Sequence, residues 1–188
     1  MPKLSKDVEA HAVAASAYLL HAYEIALDLE IDGVDEEVVC DQLDAAGGHV
    51  ASAIRALHPE WRHLDDREFG DTALELFRSL KPDVDMTLEG PDGTVELIHH
   101  AIARAREGAR CASRSPSRRF REISLELHFV SEHLDCALFV LDPVPYFAAI
   151  DESPASAQDA LVTRLNRIEL EVADHRAAVR DRYTTLTP

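Results

Sequence analysis

The chain has 188 residues, of which 46% are hydrophobic and 29% are charged, and its 35 carboxylates against 19 lysines and arginines give a formal net charge of −16. This balance is typical of a globular protein with an apolar core and not of a disordered chain. The acidic composition disfavours nucleic acid and anionic membranes as partners, because both are bound through broad basic surfaces.

The first thirty residues mix charged and apolar side chains, so we expect neither a signal-peptide core nor a membrane-spanning run there. The chain has three cysteines, Cys40, Cys111 and Cys136, and no two of them are close in sequence. An odd number of widely spaced cysteines is typical of free thiols in a reducing compartment. We therefore expect a cytoplasmic protein without a disulfide framework.

Three helices are predicted in the first half of the chain. The first begins with Ser5 as its N-cap and runs to about Glu30, because apolar residues recur at spacings of three and four. The second spans about 35–57 and the third about 66–80, and the stretch HPEWRHLDD, residues 58–66, connects them. The apolar stripes of these helices are Val8, Ala12, Ala15, Leu19, Ala22, Ala26 and Leu29; Val39, Leu43, Ala46, Val50 and Ile54; and Phe69, Ala73, Leu76 and Leu80.

Three more helices are predicted in the second half. Proline, glycine and acidic residues predict a mobile loop over 81–93, before a fourth helix at about 94–112. Serine-proline pairs precede a fifth helix at about 116–141 and a sixth at about 156–183, so a helical hairpin turn is expected near 112–117. Their apolar stripes are Val95, Ile98, Ile102, Ala105 and Ala109; Phe120, Ile123, Leu127, Val130, Leu134, Ala137 and Leu141; and Leu161, Leu165, Ile168, Val172, His175 and Val179.

No strand of alternating polarity, internal repeat or low-complexity tract interrupts this helical pattern. The sequence therefore predicts an all-α protein, a single-domain bundle of five to six helices over residues 1–188. Helical periodicity does not determine which helices are neighbours in space, so the topology stays open.

Positive charge is concentrated in residues 104–121, which hold seven of the sixteen arginines and one carboxylate, whereas residues 1–98 hold 22 carboxylates and 7 cations. Guanidinium groups bind carboxylate and phosphate in a bidentate way, so this segment predicts a docking site for an acidic peptide, a phosphorylated group or a nucleic-acid end. The acidic composition favours the first of these, a protein partner with an acidic surface. The alternative is a solvated surface whose arginines pair with the chain's own carboxylates and with helix ends. The candidate partner-binding residues are Arg110, Arg114, Arg118, Arg119 and Arg121.

Glutamate and histidine side chains offer a second candidate site. Ferritin-like bundles hold two metal ions between helices with glutamates and Glu-x-x-His pairs. Glu-x-x-His occurs twice here against about 0.9 expected by chance, and half of the di-metal pattern is missing. Polar helix residues that reach water, with one core histidine, are the ordinary alternative. The candidate metal ligands are Glu24, Glu96, His99, Glu126, His133, Glu171 and His175.

No glycine-rich phosphate loop, nucleophile elbow or Cys-x-x-Cys pair occurs in the chain. The sequence therefore favours a non-enzymatic interaction or regulatory protein that needs no cofactor and binds a macromolecular partner through the arginine-rich hairpin. A homodimer formed through a face of the bundle is compatible with this interpretation. The alternative function is a metal-binding bundle with oxidoreductase activity, with iron, manganese or zinc as its cofactor.

Overall fold

The structure is a computed structural model that describes residues 2–27, 36–81 and 87–142, together with residues 162–163, 166–168, 170–174 and 177. The chain divides into two compact units, residues 1–142 and residues 143–188. The described residues form helices and their connections and include no strand, which confirms the all-α helical bundle. The assignment of residues 1–188 to one domain stays a prediction.

Five α-helices and one short 3₁₀ helix make up the described part of the first unit. They are α1 (Pro2–Ala26), α2 (Glu36–Leu57), the 3₁₀ helix (Pro59–His63), α3 (Asp66–Leu80), α4 (Gly90–Ser113) and α5 (Arg118–Leu141). In the second unit, the described residues between 162 and 177 are helical, and the remainder of the predicted sixth helix lies outside the described residues. No helix in the described ranges is both long and apolar enough to cross a bilayer.

The boundaries of α3 agree with the prediction because its ends carry strong local signals. The Asp65 side chain accepts a hydrogen bond from the backbone N–H of Glu68 at 2.9 Å, and the Glu68 carboxylate accepts one from the Asp65 N–H at 3.2 Å. This reciprocal pair is a capping box. Lys81 then ends the helix in the left-handed conformation, with φ 45°.

The start of α4 corrects the predicted loop over 81–93. The helix begins at Gly90, four residues before the predicted Thr94, so the end of that loop is helical. A proline in the first turn costs no hydrogen bond, and Gly93 is needed for space, since a Cβ there would lie 3.0 Å from the backbone carbonyl carbon of Leu88. Residues 82–86 lie outside the described residues.

Two other helix starts also differ from the prediction. α1 begins at Pro2 rather than after Ser5, and α5 begins at Arg118 rather than Pro116. Ser115 still acts as a local hydrogen-bonding residue, because its Oγ accepts from the Ser117 N–H at 3.2 Å and stabilises the turn instead of the first helical turn. The hairpin turn therefore occupies residues 114–117, inside the range expected for it.

Four helices pack in the ring α1, α2, α5, α4, and α3 packs against α1 on the outside. α2 and α5 are antiparallel. Gln42 hydrogen-bonds to His133, and His49, seven residues further along α2, hydrogen-bonds to Glu126, seven residues earlier on α5. The same antiparallel order holds at the other interfaces of the ring. Helices on opposite corners of the ring, such as α2 and α4, are therefore parallel. The end of α2 and the start of α4 thus lie at opposite ends of the bundle, and the segment that links them contains α3.

The predicted apolar stripes of α1, α2 and α5 are buried wherever they are described, apart from half-buried Leu141. The buried face of α4 is rotated from the prediction, because Gly108 and Ala112 are buried while Val95 and Ala109 are half-buried. A Cβ on Gly108 would lie 2.9 Å from Leu127 Cδ1 and 3.2 Å from His11 Cβ. The small residues of α4 thus let α1 and α5 approach it closely.

α3 is the least deeply packed of the five α-helices. Phe69 is buried, but Leu74 remains 44% exposed. Two mainly apolar cavities of about 310 and 250 Å³ lie beside α3 and share Leu20, Ile54 and Phe69 in their walls. This helix therefore covers the bundle loosely instead of completing its core.

Candidate functional site at the hairpin end of the bundle

The turn at 114–117 lies at the end of the bundle where α2 finishes. Arg119 Nε donates to the carbonyl oxygen of Ala56 at 2.7 Å, and Nη2 of the same side chain donates to the carbonyl of Leu57. Carbonyls in the last turn of a helix have no helical partner, so this guanidinium caps α2. Arg119, which is also predicted to bind a partner, therefore ties the start of α5 to the end of α2.

Two further arginines of the segment pair with carboxylates of α4 and α5, although both side chains are more than half exposed. Arg110 holds Glu107 on its own helix, with Nη2 at 2.5 Å from Oε1 and Nε at 2.9 Å from Oε2. These hydrogen bonds hold the pKa of Glu107 at about 2. Arg106 crosses to α5, where its Nη2 lies 2.5 Å from Oδ2 of the buried Asp135. Arg110, also predicted to bind a partner, therefore has a bidentate partner of its own.

The remaining predicted arginines face outward. Arg118 pairs with Glu122 at 3.0 Å, but its side chain is 54% exposed. Arg114 and Arg121 are exposed, and their side chains make no hydrogen bond or ion pair with any residue that the structure describes. All five predicted residues are exposed, and among them Arg114 and Arg121 are the two whose guanidinium groups have no partner in the described part of the chain.

An apolar side chain lies beside these cations on α5. Arg118, Arg121, Leu125 and His128 recur at spacings of three and four, so they share one outward face of the helix, and all four are exposed. Leu125 is 43% exposed. Sequence reasoning missed Leu125, although a leucine four residues after Arg121, on the face opposite the core stripe, is visible in the sequence.

Most of the described candidate metal ligands are exposed, and three of them pair with other side chains. Glu24 and Glu96 are exposed and pair with His21 and His100 of their own helices, each at 3.6 Å. Exposed Glu171 pairs with Arg167, His99 is exposed, and His175 lies outside the described residues. Among the residues that the structure describes, no three of the predicted ligands form a metal-binding group.

The two other predicted ligands, Glu126 and His133, belong to a polar cluster between α2 and α5. His49 Nδ1 lies 2.8 Å from Glu126 Oε2, and His133 Nδ1 lies 2.9 Å from Gln42 Oε1. The two histidine rings stack with centroids 5.3 Å apart. Each helix supplies two members seven residues apart, so the cluster fixes the register of α2 against α5. The spacing of Gln42 and His49 is visible in the sequence, so these two residues could have been predicted as members of a polar cluster on one face of α2.

A separate group that sequence reasoning missed joins α1 to α4. One ligand atom each from His11, Glu107 and Cys111 lies within 4.8 Å of the others. Burial lowers the pKa of His11, and burial together with the Glu107 carboxylate raises the pKa of the Cys111 thiol. The i, i+4 spacing of Glu107 and Cys111 is visible in the sequence, but the approach of His11 depends on helix packing.

Comparison with other proteins adds nothing to this geometry. No protein-family model, no curated protein and no solved structure matches the chain.

Proposed function

We propose that this protein is a cytoplasmic interaction protein that binds an acidic segment of a partner protein through Arg114, Arg118, Arg121 and Leu125, which we term the hairpin face. The observation that supports the proposal is the pairing of the arginines. In a chain with net charge −16, Arg114 and Arg121 are exposed without an ionic partner among the described residues. Such guanidinium groups are available to carboxylates of another molecule.

The hairpin face is held on a rigid scaffold. Arg119 joins the first turn of α5 to α2, and Arg106 joins α4 to Asp135 of α5. Ser124 Oγ adds a hydrogen bond across the hairpin, to the carbonyl of Ala109 at 3.0 Å. Because these contacts fix both helices before a partner arrives, binding orders only the side chains of the face, which reduces its entropic cost.

The chemistry of the face favours a protein partner over nucleic acid. Phe120 is the one aromatic residue within 104–121, and it is only 8% exposed, so it offers no surface on which a base could stack. Leu125 instead provides an apolar contact next to the cations, as in interfaces where a buried anchor is surrounded by charged residues. An acidic peptide with one aliphatic residue matches this arrangement.

The proposal is tested with a fluorescein-labelled peptide of alternating glutamates and aspartates around a central leucine, by fluorescence anisotropy at low ionic strength. The variant Arg114→Glu/Arg118→Glu/Arg121→Glu reverses the charge of the hairpin face. An exposed ion pair contributes about 0.5 kcal/mol, so three lost pairs weaken binding about tenfold, and the repulsion that replaces them increases the loss. Glutamates near the N-terminus of α5 interact favourably with the helix dipole, so we expect the fold to be retained.

A matched control carries the same change in charge elsewhere. Arg62, Arg67 and Arg78 are exposed on the 3₁₀ helix and α3, and their replacement by glutamate also changes the net charge from −16 to −22. We expect this control to bind within about threefold of the wild type, because only the long-range field changes. Equal weakening in the two variants would show that net charge, and not the hairpin face, determines binding.

A further inference from the structure

His11, Glu107 and Cys111 converge between α1 and α4 at the hairpin end of the bundle. Glu107 and Cys111 are one helical turn apart, so they project from the same side of α4, and His11 comes from the facing antiparallel helix. Gly108 permits this approach, because a Cβ there would lie 3.2 Å from His11 Cβ. The packing of α4 therefore brings three different ligand types together.

We infer that His11, Glu107 and Cys111 form a zinc(II) site whose fourth position is open to water or to an external ligand. Imidazole nitrogen, carboxylate oxygen and thiolate sulfur are the three ligand types that proteins use for Zn²⁺, and three protein ligands leave one tetrahedral position free. A thiolate beside an imidazole selects against Mg²⁺ and Ca²⁺, which prefer oxygen ligands.

The ligand separations fit a tetrahedral ion. Ligands at about 2.0 Å for oxygen and about 2.3 Å for sulfur in tetrahedral geometry lie about 3.5 Å apart. Cys111 Sγ and Glu107 Oε1 lie 3.6 Å apart, so these two atoms are already at a suitable distance. The His11 nitrogen lies within 4.8 Å of both, and rotation of its half-buried side chain shortens that distance. Binding forms a Zn–S bond and releases the thiol proton of Cys111 to solvent.

Arg110 affects this site directly, because its guanidinium contacts both oxygens of Glu107. A zinc ion on Oε1 displaces Nη2, while Nε at 2.9 Å from Oε2 continues to orient the carboxylate from outside the coordination sphere. The positive charge of Arg110, with Arg104 near His11 and Arg114 near Cys111, opposes a dication. The site is therefore selective for a thiolate-binding metal but weaker than an uncharged site with the same ligands.

Cobalt(II) is the probe that tests this inference, since a Co²⁺–thiolate bond gives a charge-transfer absorption that surface histidines cannot produce. We expect the wild type to develop this absorption up to one equivalent of Co²⁺ and to lose it when Zn²⁺ is added. Cys111→Ala should abolish it, whereas Cys40→Ala should keep it. Absence of the absorption in the wild type, or its loss in Cys40→Ala with retention in Cys111→Ala, would overturn the site.

Two further variants keep the test decisive if Cys111→Ala is unstable. His11→Ala should weaken Co²⁺ binding at least about tenfold, whereas His99→Ala, at an exposed position elsewhere on the bundle, should leave it unchanged. Arg110→Ala removes the competing guanidinium and should tighten binding. Equal affinities for the two histidine variants, or weaker binding by Arg110→Ala, would contradict the assigned ligands. None of these substitutions alters the hairpin face, so this test and the peptide experiment can fail independently.

Discussion

Gly108 lies where side chains of α1 and α5 both pack against α4, so Gly108→Ala tests the packing on which both sites depend. The added methyl group would lie 2.9 Å from Leu127 Cδ1 and 3.2 Å from His11 Cβ. Leu127 is fully buried, and the His11 Cβ is attached to the backbone of α1, so neither atom can move away without shifting packed neighbours. Overpacking of this kind costs about 1–3 kcal/mol.

The same substitution also has a favourable effect on the helix. Alanine is more stable than glycine in a helix interior by about 1 kcal/mol, so the net expectation for Gly108→Ala is a loss of about 1 kcal/mol. Gly48 in α2 provides the matched control, because it is exposed and a Cβ there meets nothing within 4 Å. Gly48→Ala should increase the free energy of unfolding by about 0.5–1 kcal/mol, and the difference between the two variants isolates the steric cost.

Urea unfolding followed by far-ultraviolet circular dichroism measures both variants. The midpoint should fall for Gly108→Ala and rise for Gly48→Ala, with unchanged m-values, because neither substitution alters the surface exposed on unfolding. An equal increase in stability for the two variants would refute the reasoning, since it would mean that α4 has room at position 108 and that His11 does not lie against it.

The remaining predictions concern the contacts that hold the hairpin end and the α2–α5 interface. Arg119→Met removes the cap on the last carbonyls of α2 and should lower the free energy of unfolding by about 1 kcal/mol. Arg121→Met, which removes an arginine without a described partner, should change it by less than about 0.5 kcal/mol, and equal losses would contradict the cap. Glu126→Ala leaves the buried Nδ1 of His49 without its acceptor and should cost about 2 kcal/mol. Glu126→Gln retains an acceptor oxygen and should recover at least half of that loss; identical losses would show that the hydrogen bond is unimportant.

Helical periodicity was sufficient to predict the all-α fold and most of its core. The stripes of α1, α2 and α5 repeat at three and four residues, and burial follows that repeat closely. Three predicted stripe residues of α4, Ile98, Ile102 and Ala105, are buried, but the stripe missed Gly108 and Ala112, because glycine and alanine have little hydropathy signal. Gly108 is buried by the approach of two other helices, and Ala112 has no exposed surface, while the larger Val95 is only half-buried.

Sequence reasoning predicted the charge cluster at the hairpin but not the partner of each arginine. The carbonyls that Arg119 caps lie 62 and 63 residues earlier in the chain, and Asp135 lies 29 residues after Arg106. Such contacts depend on which helices are neighbours, which periodicity does not encode. The proposed zinc ligands were missed for the same reason, because His11 and Glu107 are far apart in the sequence and meet only through the antiparallel packing of α1 and α4.

The most direct test of the hairpin face is a map of backbone amide chemical shifts when isotope-labelled protein is titrated with the acidic leucine-containing peptide. The account predicts that the largest changes occur between Arg114 and His128, on the turn and the outward side of α5, while the amides of α3 remain unchanged. Changes that are largest on α3, or that are spread evenly over the bundle, would contradict a binding site at the hairpin face.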